Sequence, residues 1–208
     1  MAACKHCRAK NAPLKINLNS FCSMEHAIEY AKTQQNKLRA AKERQAKQVI
    51  KERKQSDRKR LEQLKRPSEH AAEAQGLFNK MRRLEELLWF AQHGLEPICI
   101  SCQKPLGDDQ WACGHYKTRG ARKDLAFERL NAHLQHNFNC NKNKSGDIEG
   151  QKVGYALRYG EEEAQRILAD LEVHRNMPKR TPDEWLEMKK EFRAEIRRLE
   201  KLITGQST

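Results

Sequence analysis

The sequence predicts a mostly helical α+β protein, made of small zinc-stabilised units, with an N-terminal zinc knuckle and a long basic helix. Three observations predict it. Hydrophobic residues make up 38% and aromatics 6% of 208 residues against 33% charged, too lean for one large core. Six of the seven cysteines fall into two groups that each open with C-x-x-C, an arithmetic that points to zinc. Long polar stretches without Gly or Pro separate and follow those groups, as solvated helices do.

The first group is Cys4-x2-Cys7 followed by Cys22-x3-His26. A C-x-x-C turn offers two thiolates from one knuckle, and C-x3-H at a helix start offers two more ligands, which makes the tetrahedral set zinc prefers. Residues 1–26 are therefore read as an N-terminal zinc knuckle. Residues 27–94 are read as a basic helical arm followed by a packing helix. Over 37–66 there are 13 Lys or Arg against 4 Asp or Glu, and Leu38, Val49, Ile50, Leu61 and Leu64 form no sustained heptad seam. A single basic helix that binds phosphates without reading bases fits that pattern, with Lys51, Arg53, Lys54, Arg58, Lys59 and Arg60 as candidate contacts. Pro67 breaks it. Ser68 is expected to cap a second helix over 68–92, whose Leu77, Met81, Leu84, Leu87 and Leu88 recur at helical spacing, and Gly94 is expected to stop it.

Residues 95–150 are irregular and rich in Cys, His and Asn, with 98–101 and 111–117 as candidate hairpin strands. Cys99-x2-Cys102 and His136-x3-Cys140 form the second candidate zinc set; both sets have four protein ligands and read as structural. Cys113 reads as a small buried apolar residue or as a replacement for His136. Residues 151–208 are read as helices: Tyr155–Tyr159 closed by Gly160, Glu161–His174, and a third opened by the capping box Thr181-Pro182-Asp183-Glu184 and running to about Ile203.

The net charge of +13 calls for a polyanionic partner, nucleic acid before an anionic membrane surface. No stretch approaches the length of a membrane span, and the N-terminal residues lack the apolar run of a secretory signal, so a cytoplasmic protein is expected.

Inside the second zinc loop lie Cys113-Gly114-His115-Tyr116, Asn131-Ala132-His133, and Cys140-Asn141-Lys142-Asn143-Lys144-Ser145-Gly146. This pattern resembles the HNH (ββα-metal) nuclease motif. The resemblance implies that His115 is the base that activates water, that Asn131 tightens the loop, and that Asn141 binds a catalytic Mg²⁺ or Mn²⁺. Together with the Cys-rich start and the basic helix, the run looks like the NinG (Rap) family of lambdoid bacteriophages, over nearly the whole chain. The family resemblance implies a phage-encoded recombination endonuclease in the host cytoplasm that cuts D-loops and Holliday junctions, leaving 5′ phosphate and 3′ hydroxyl ends. A second copy and other recombination proteins are further candidate partners.

There are two departures from the motif. Gly114 stands where many such nucleases place a metal-binding Asp, which leaves the second ligand open. His133 is the candidate, with Asp108, Asp109 and Asp147 behind it. The second zinc pair reads His136-x3-Cys140 in place of C-x-x-C. His115 suits the base role because imidazole titrates near neutrality, and Arg119, Lys142 and Lys144 are placed to meet flanking phosphates. The rival reading is a non-catalytic zinc-containing DNA-binding accessory protein. A basic helix for a membrane surface or ribosome ranks below both, since it leaves 97–150 unexplained.

Overall fold

The computed structural model describes residues 2–177 and 179–205 and divides into two compact units, 1–62 and 63–208. The division falls inside the segment 27–94, within the arm.

The first unit opens with an antiparallel hairpin, β1 (Leu14–Ile16) and β2 (Asn19–Phe21). Asn17 turns the chain at φ 53°, a left-handed conformation that Asn tolerates. The core of this unit is only Cys4, Phe21 and Ala27, with Leu14, Ile16 and Tyr30 against it. So small a cluster needs a cross-link or metal to hold. Helix α1 (Met24–Gln63) follows, and Ala27 is its one buried residue. Its 40 residues extend about 60 Å at 1.5 Å each. Leu38, Val49, Ile50 and Leu61 are each more than half exposed, so beyond Ala27 and Tyr30 no packed face supports the described helix. Its length and weak pairs such as Lys47–Glu43 maintain it.

The second unit is built on α2 (Pro67–Gln92) and α5 (Pro182–Ile203), which pack through Phe78, Met81, Ile196 and Leu199. Helix α2 starts one residue earlier than Ser68 suggested. Pro67 takes the first helical position, and Glu69 reaches back to the Arg66 N–H at 2.9 Å. Gly94, at φ 65°, ends it, with the Leu95 N–H on the Phe90 carbonyl as in a Schellman turn. Helix α5 has the expected box: the Thr181 hydroxyl accepts from the Glu184 N–H, and Glu184 accepts from the Thr181 N–H.

Between them lies a second hairpin. The expected pairing of 98–101 with 111–117 does not form. Ile98 makes a lone bridge to Pro105, and β3 (Trp111–His115) pairs antiparallel with β4 (Ala132–His136). Trp111 faces His136, and His115 faces Ala132. Strand β4 has polar side chains on a fully buried surface, so its sequence does not carry an apolar-in, polar-out signature. A π turn over Asn137–Lys142 leaves β4 and packs on both strands.

Helix α3 (Ile148–Tyr159) starts seven residues before the expected Tyr155 and is followed by α4 (Glu161–Glu172). Gly150 and Gly154 weaken its helical signal, and close approach explains both. A Cβ at 154 would lie 1.8 Å from the Ile100 carbonyl oxygen, and one at 150 would lie 2.6 Å from that of Ser101. The helix thus rests directly on the Cys99–Cys102 knuckle. Gly154→Ala is expected to destabilise this unit by about 2 kcal/mol or more, because backbone must move to admit the methyl. Urea unfolding of the full chain measures that loss. Among the described residues, no helix is long and apolar enough to cross a membrane.

Candidate metal centres and active site

Cys99 and Cys102 come from the knuckle, His136 from the end of β4, and Cys140 from the π turn. Their ligand atoms all lie within 4.8 Å of one another. A zinc–sulfur distance near 2.3 Å puts tetrahedral ligands about 3.8 Å apart, so the donors fit a zinc ion with little movement. The second shell fits too. His136 Nε2 lies 2.8 Å from the Pro105 carbonyl, which makes it the protonated nitrogen and turns the Nδ1 lone pair to Cys102 Sγ at 3.5 Å. The His136 N–H points at Cys99 Sγ. The extra residue in His136-x3-Cys140 is taken up by the π turn, whose Asn143 N–H reaches the Phe138 carbonyl five residues back. Cys113 is not in the set. It packs with Phe78 and Met81, and burial pushes its thiol up to about 12.

Cys4, Cys7, Cys22 and His26 form the corresponding set in the first unit, again within 4.8 Å. Cys7 and Cys22 sulfurs are 3.5 Å apart, and His26 Nδ1 is 3.8 Å from Cys4. Burial raises the Cys4 thiol, but the backbone N–H groups of Cys7, Cys22 and His6 outweigh it and bring the thiol to about 6. Amides aimed at a sulfur favour the thiolate that a cation needs. Both Cys3His sets can hold a metal such as zinc.

His115 ends β3 on the face that carries Trp111 and Cys113, turned to α2, where its ring meets Phe78. It is half-buried. Gln75 of α2 fixes its tautomer. The Gln75 amide nitrogen has two hydrogens, and they go to Asn79 Oδ1 at 2.8 Å and the Ala126 carbonyl at 2.9 Å. Its 3.4 Å approach to His115 Nε2 is then no donation. The Nε2 proton belongs to His115 and points to the Ala126 carbonyl at 3.3 Å. Among the described residues nothing donates to Nδ1, which is left with its lone pair. Burial lowers the pKa of this imidazole, with Arg119 and His133 adding to the effect, so the ring is neutral at neutral pH.

Asn131 is fully buried and closes the 116–131 loop. Its Oδ1 accepts from the Lys117 N–H at 2.7 Å, and its Nδ2 donates to the carbonyls of Lys117 and Leu125. Asn141 lies on the π turn, half-buried, and among the described residues its side chain has no hydrogen-bond partner. Lys142, Lys144 and Arg119 are exposed. Lys142 lies over the Phe138 ring, and Lys144 is 3.3 Å from Asp147.

Several candidate ligands have other partners. His133 is buried with both nitrogens engaged, Nδ1 at 2.6 Å from Glu86 and Nε2 at 3.2 Å from the Leu130 carbonyl, so it presents no lone pair to a metal. Glu86 also takes Arg82, Arg158 and the Leu134 N–H, and its carboxyl is held far below the ordinary range by those partners despite burial. Asp109 accepts the N–H groups of Phe138 and Asn139 and caps the π turn. The Gly114 position has no room for an acid. A Cβ there would lie 2.2 Å from Gln135 Oε1, a buried atom with no hydrogen-bond partner among the described residues. Gln75, Glu86 and Arg158 carry no signal in the sequence, because their roles depend on α2 and α3 packing against the hairpin.

The family model described as bacteriophage lambda NinG protein matches residues 1–202. Proteins named ninG from Escherichia phage 933W and Escherichia phage lambda are each 38% identical over 77 residues, which is 37% of this chain and 37% of theirs. The ninG protein of Salmonella phage P22 is likewise 38% identical over 77 residues. The aligned stretch thus spans just over a third of those relatives. No solved structure matches the chain. With the family match running over every residue that builds the two metal-ligand sets and the hairpin, the chain belongs to the bacteriophage lambda NinG protein family.

Proposed function

We propose that this chain is a metal-dependent, structure-specific DNA endonuclease that hydrolyses phosphodiester bonds in branched recombination intermediates such as D-loops and Holliday junctions. One observation carries the assignment: a neutral imidazole, His115, with Nε2 on the Ala126 carbonyl, at the end of a hairpin whose other end joins a four-donor metal set. His115 Nδ1 takes a proton from the attacking water, and the Ala126 carbonyl stabilises the imidazolium that forms. Asn141 would be a protein ligand for Mg²⁺ or Mn²⁺, an ion that would supply charge neutralisation during phosphodiester hydrolysis. Arg119, Lys142 and Lys144 position the flanking phosphates.

In this reading α1 grips duplex arms through its phosphates. Replacing Lys51, Arg53, Lys54, Arg58, Lys59 and Arg60 by Gln is expected to weaken binding to every DNA sequence alike. The slope of log affinity against log salt should flatten by about 0.9 for each phosphate that is no longer neutralised. Fluorescence anisotropy across a salt series checks both.

One observation favours a second reading, a non-catalytic DNA-binding accessory protein: Gln135 fills the space an acidic metal ligand at 114 would use. Incubating the zinc-loaded chain with a labelled four-way junction and a linear duplex, with and without Mg²⁺ or Mn²⁺, separates the two. Divalent-dependent nicking of the junction supports the nuclease, whereas binding without nicking supports the accessory role.

A further inference from the structure

The run 137–146, Asn-Phe-Asn-Cys-Asn-Lys-Asn-Lys-Ser-Gly, contains no acidic residue. It is the stretch the second metal set pins, through His136 just before it and Cys140 within it. Phe138 is half exposed on this turn, while its backbone N–H is tied to the Asp109 carboxylate at 3.1 Å, and Asn139 is tied there too. The Lys142 ammonium lies 4.4 Å from the ring centroid. Phe138 lines an open cleft together with Lys104, Asn139, Lys144, Asp108 and Asp109. Asp109 is already satisfied by three backbone N–H groups, those of Gln110, Phe138 and Asn139. The half-exposed Phe138 ring thus sits beside amides and ammonium groups, on a turn whose backbone is tied to Asp109.

A single exposed aromatic is ordinary on a protein surface. This one combines a fixed backbone, a cationic surround and a place three residues from Asn141 on the same turn. That combination matches the platforms that stack unpaired bases, where a basic track holds the backbone and a ring takes a base. We propose that Phe138 stacks on an unpaired DNA base at the branch point and so gives this surface its preference for branched over linear DNA. Lys142 moves from the ring to the adjoining phosphate as the base docks. Phe138 and Asn141 share one turn, so a base on Phe138 would bring its strand to the turn that carries Asn141.

This inference deepens the nuclease reading and rests on it. The test uses the full zinc-loaded chain in Ca²⁺, with a branched DNA bearing 2-aminopurine at the unpaired branch position and a linear duplex of the same arms. The wild type is expected to quench the 2-aminopurine and to prefer the branch. Phe138→Ala should lose about tenfold in affinity for the branch, lose the quenching, and keep its affinity for the duplex. Phe138→Trp should restore both. Equal binding of branch by wild type and Phe138→Ala, an equal loss on both DNAs, or no rescue by Trp overturns the stacking role alone. Failure of the wild type to bind either DNA overturns the nuclease reading along with it.

Discussion

His115→Ala is expected to lower the rate of junction cleavage by about 10²–10⁴-fold and to leave affinity for the uncut junction unchanged, as a general base that makes no ground-state contact with the phosphate would. Single-turnover rates and anisotropy with the same labelled junction measure the two quantities. The pH profile carries the same signature. The base works only when neutral, and burial lowers its pKa from the ordinary 6.5, against the pull of the Ala126 and Cys113 carbonyls. On the proposed role, protonation should switch cleavage off only below 6.5, so the acid limb of kcat/KM is expected on that side with a flat rate above it. An acid limb above 6.5 assigns the base to another group. The same shift bears on stability. Between the lowered pKa and 6.5 the unfolded chain binds the proton that the folded ring refuses, so stability falls as pH drops through that window.

Cys99→Ser removes a ligand from the second set and is expected to release that metal and disorder the hairpin carrying His115. Structural zinc contributes on the order of 10 kcal/mol in small metal-dependent folds, far more than the core packed on this hairpin can replace. Elemental analysis is expected to fall from about two zinc ions per chain to about one, since each Cys3His set has the four donors for a single ion. The thermal transition of the second unit should broaden or vanish, while the first unit retains its metal. A Cys99→Ser chain that keeps both ions and cuts normally removes the metal centre from the proposal.

How much was legible before the fold depended on the range of the interaction. The two metal sets could be read because C-x-x-C spacing is a local geometric demand. The His136-x3-Cys140 spacing was an anomaly in sequence, and its reason is the π turn, a backbone feature without a compositional mark. Helix α5 was legible through its capping box, and α1 through its run of basic residues with no breaker. The β1–β2 hairpin was missed because three-residue strands carry too short a period. Strand β4 was missed because His133 and Gln135 are buried by virtue of partners that come from elsewhere in the chain, Glu86 and Ser101 among them. His133 read as a metal ligand for the same reason: its chemistry was visible and its hydrogen-bond partners were not. The start of α3 was hidden by Gly150 and Gly154, which oppose helix locally and permit it only where the knuckle backbone lies against them.

End-group analysis of a nicked four-way junction tests the hydrolytic role most directly. With Mg²⁺ or Mn²⁺ the chain should open one strand near the branch to give a 5′ phosphate and a 3′ hydroxyl, a nick that DNA ligase reseals. A junction that stays intact under every divalent ion while remaining bound would contradict the role assigned to His115 and leave a metal-braced DNA-binding protein.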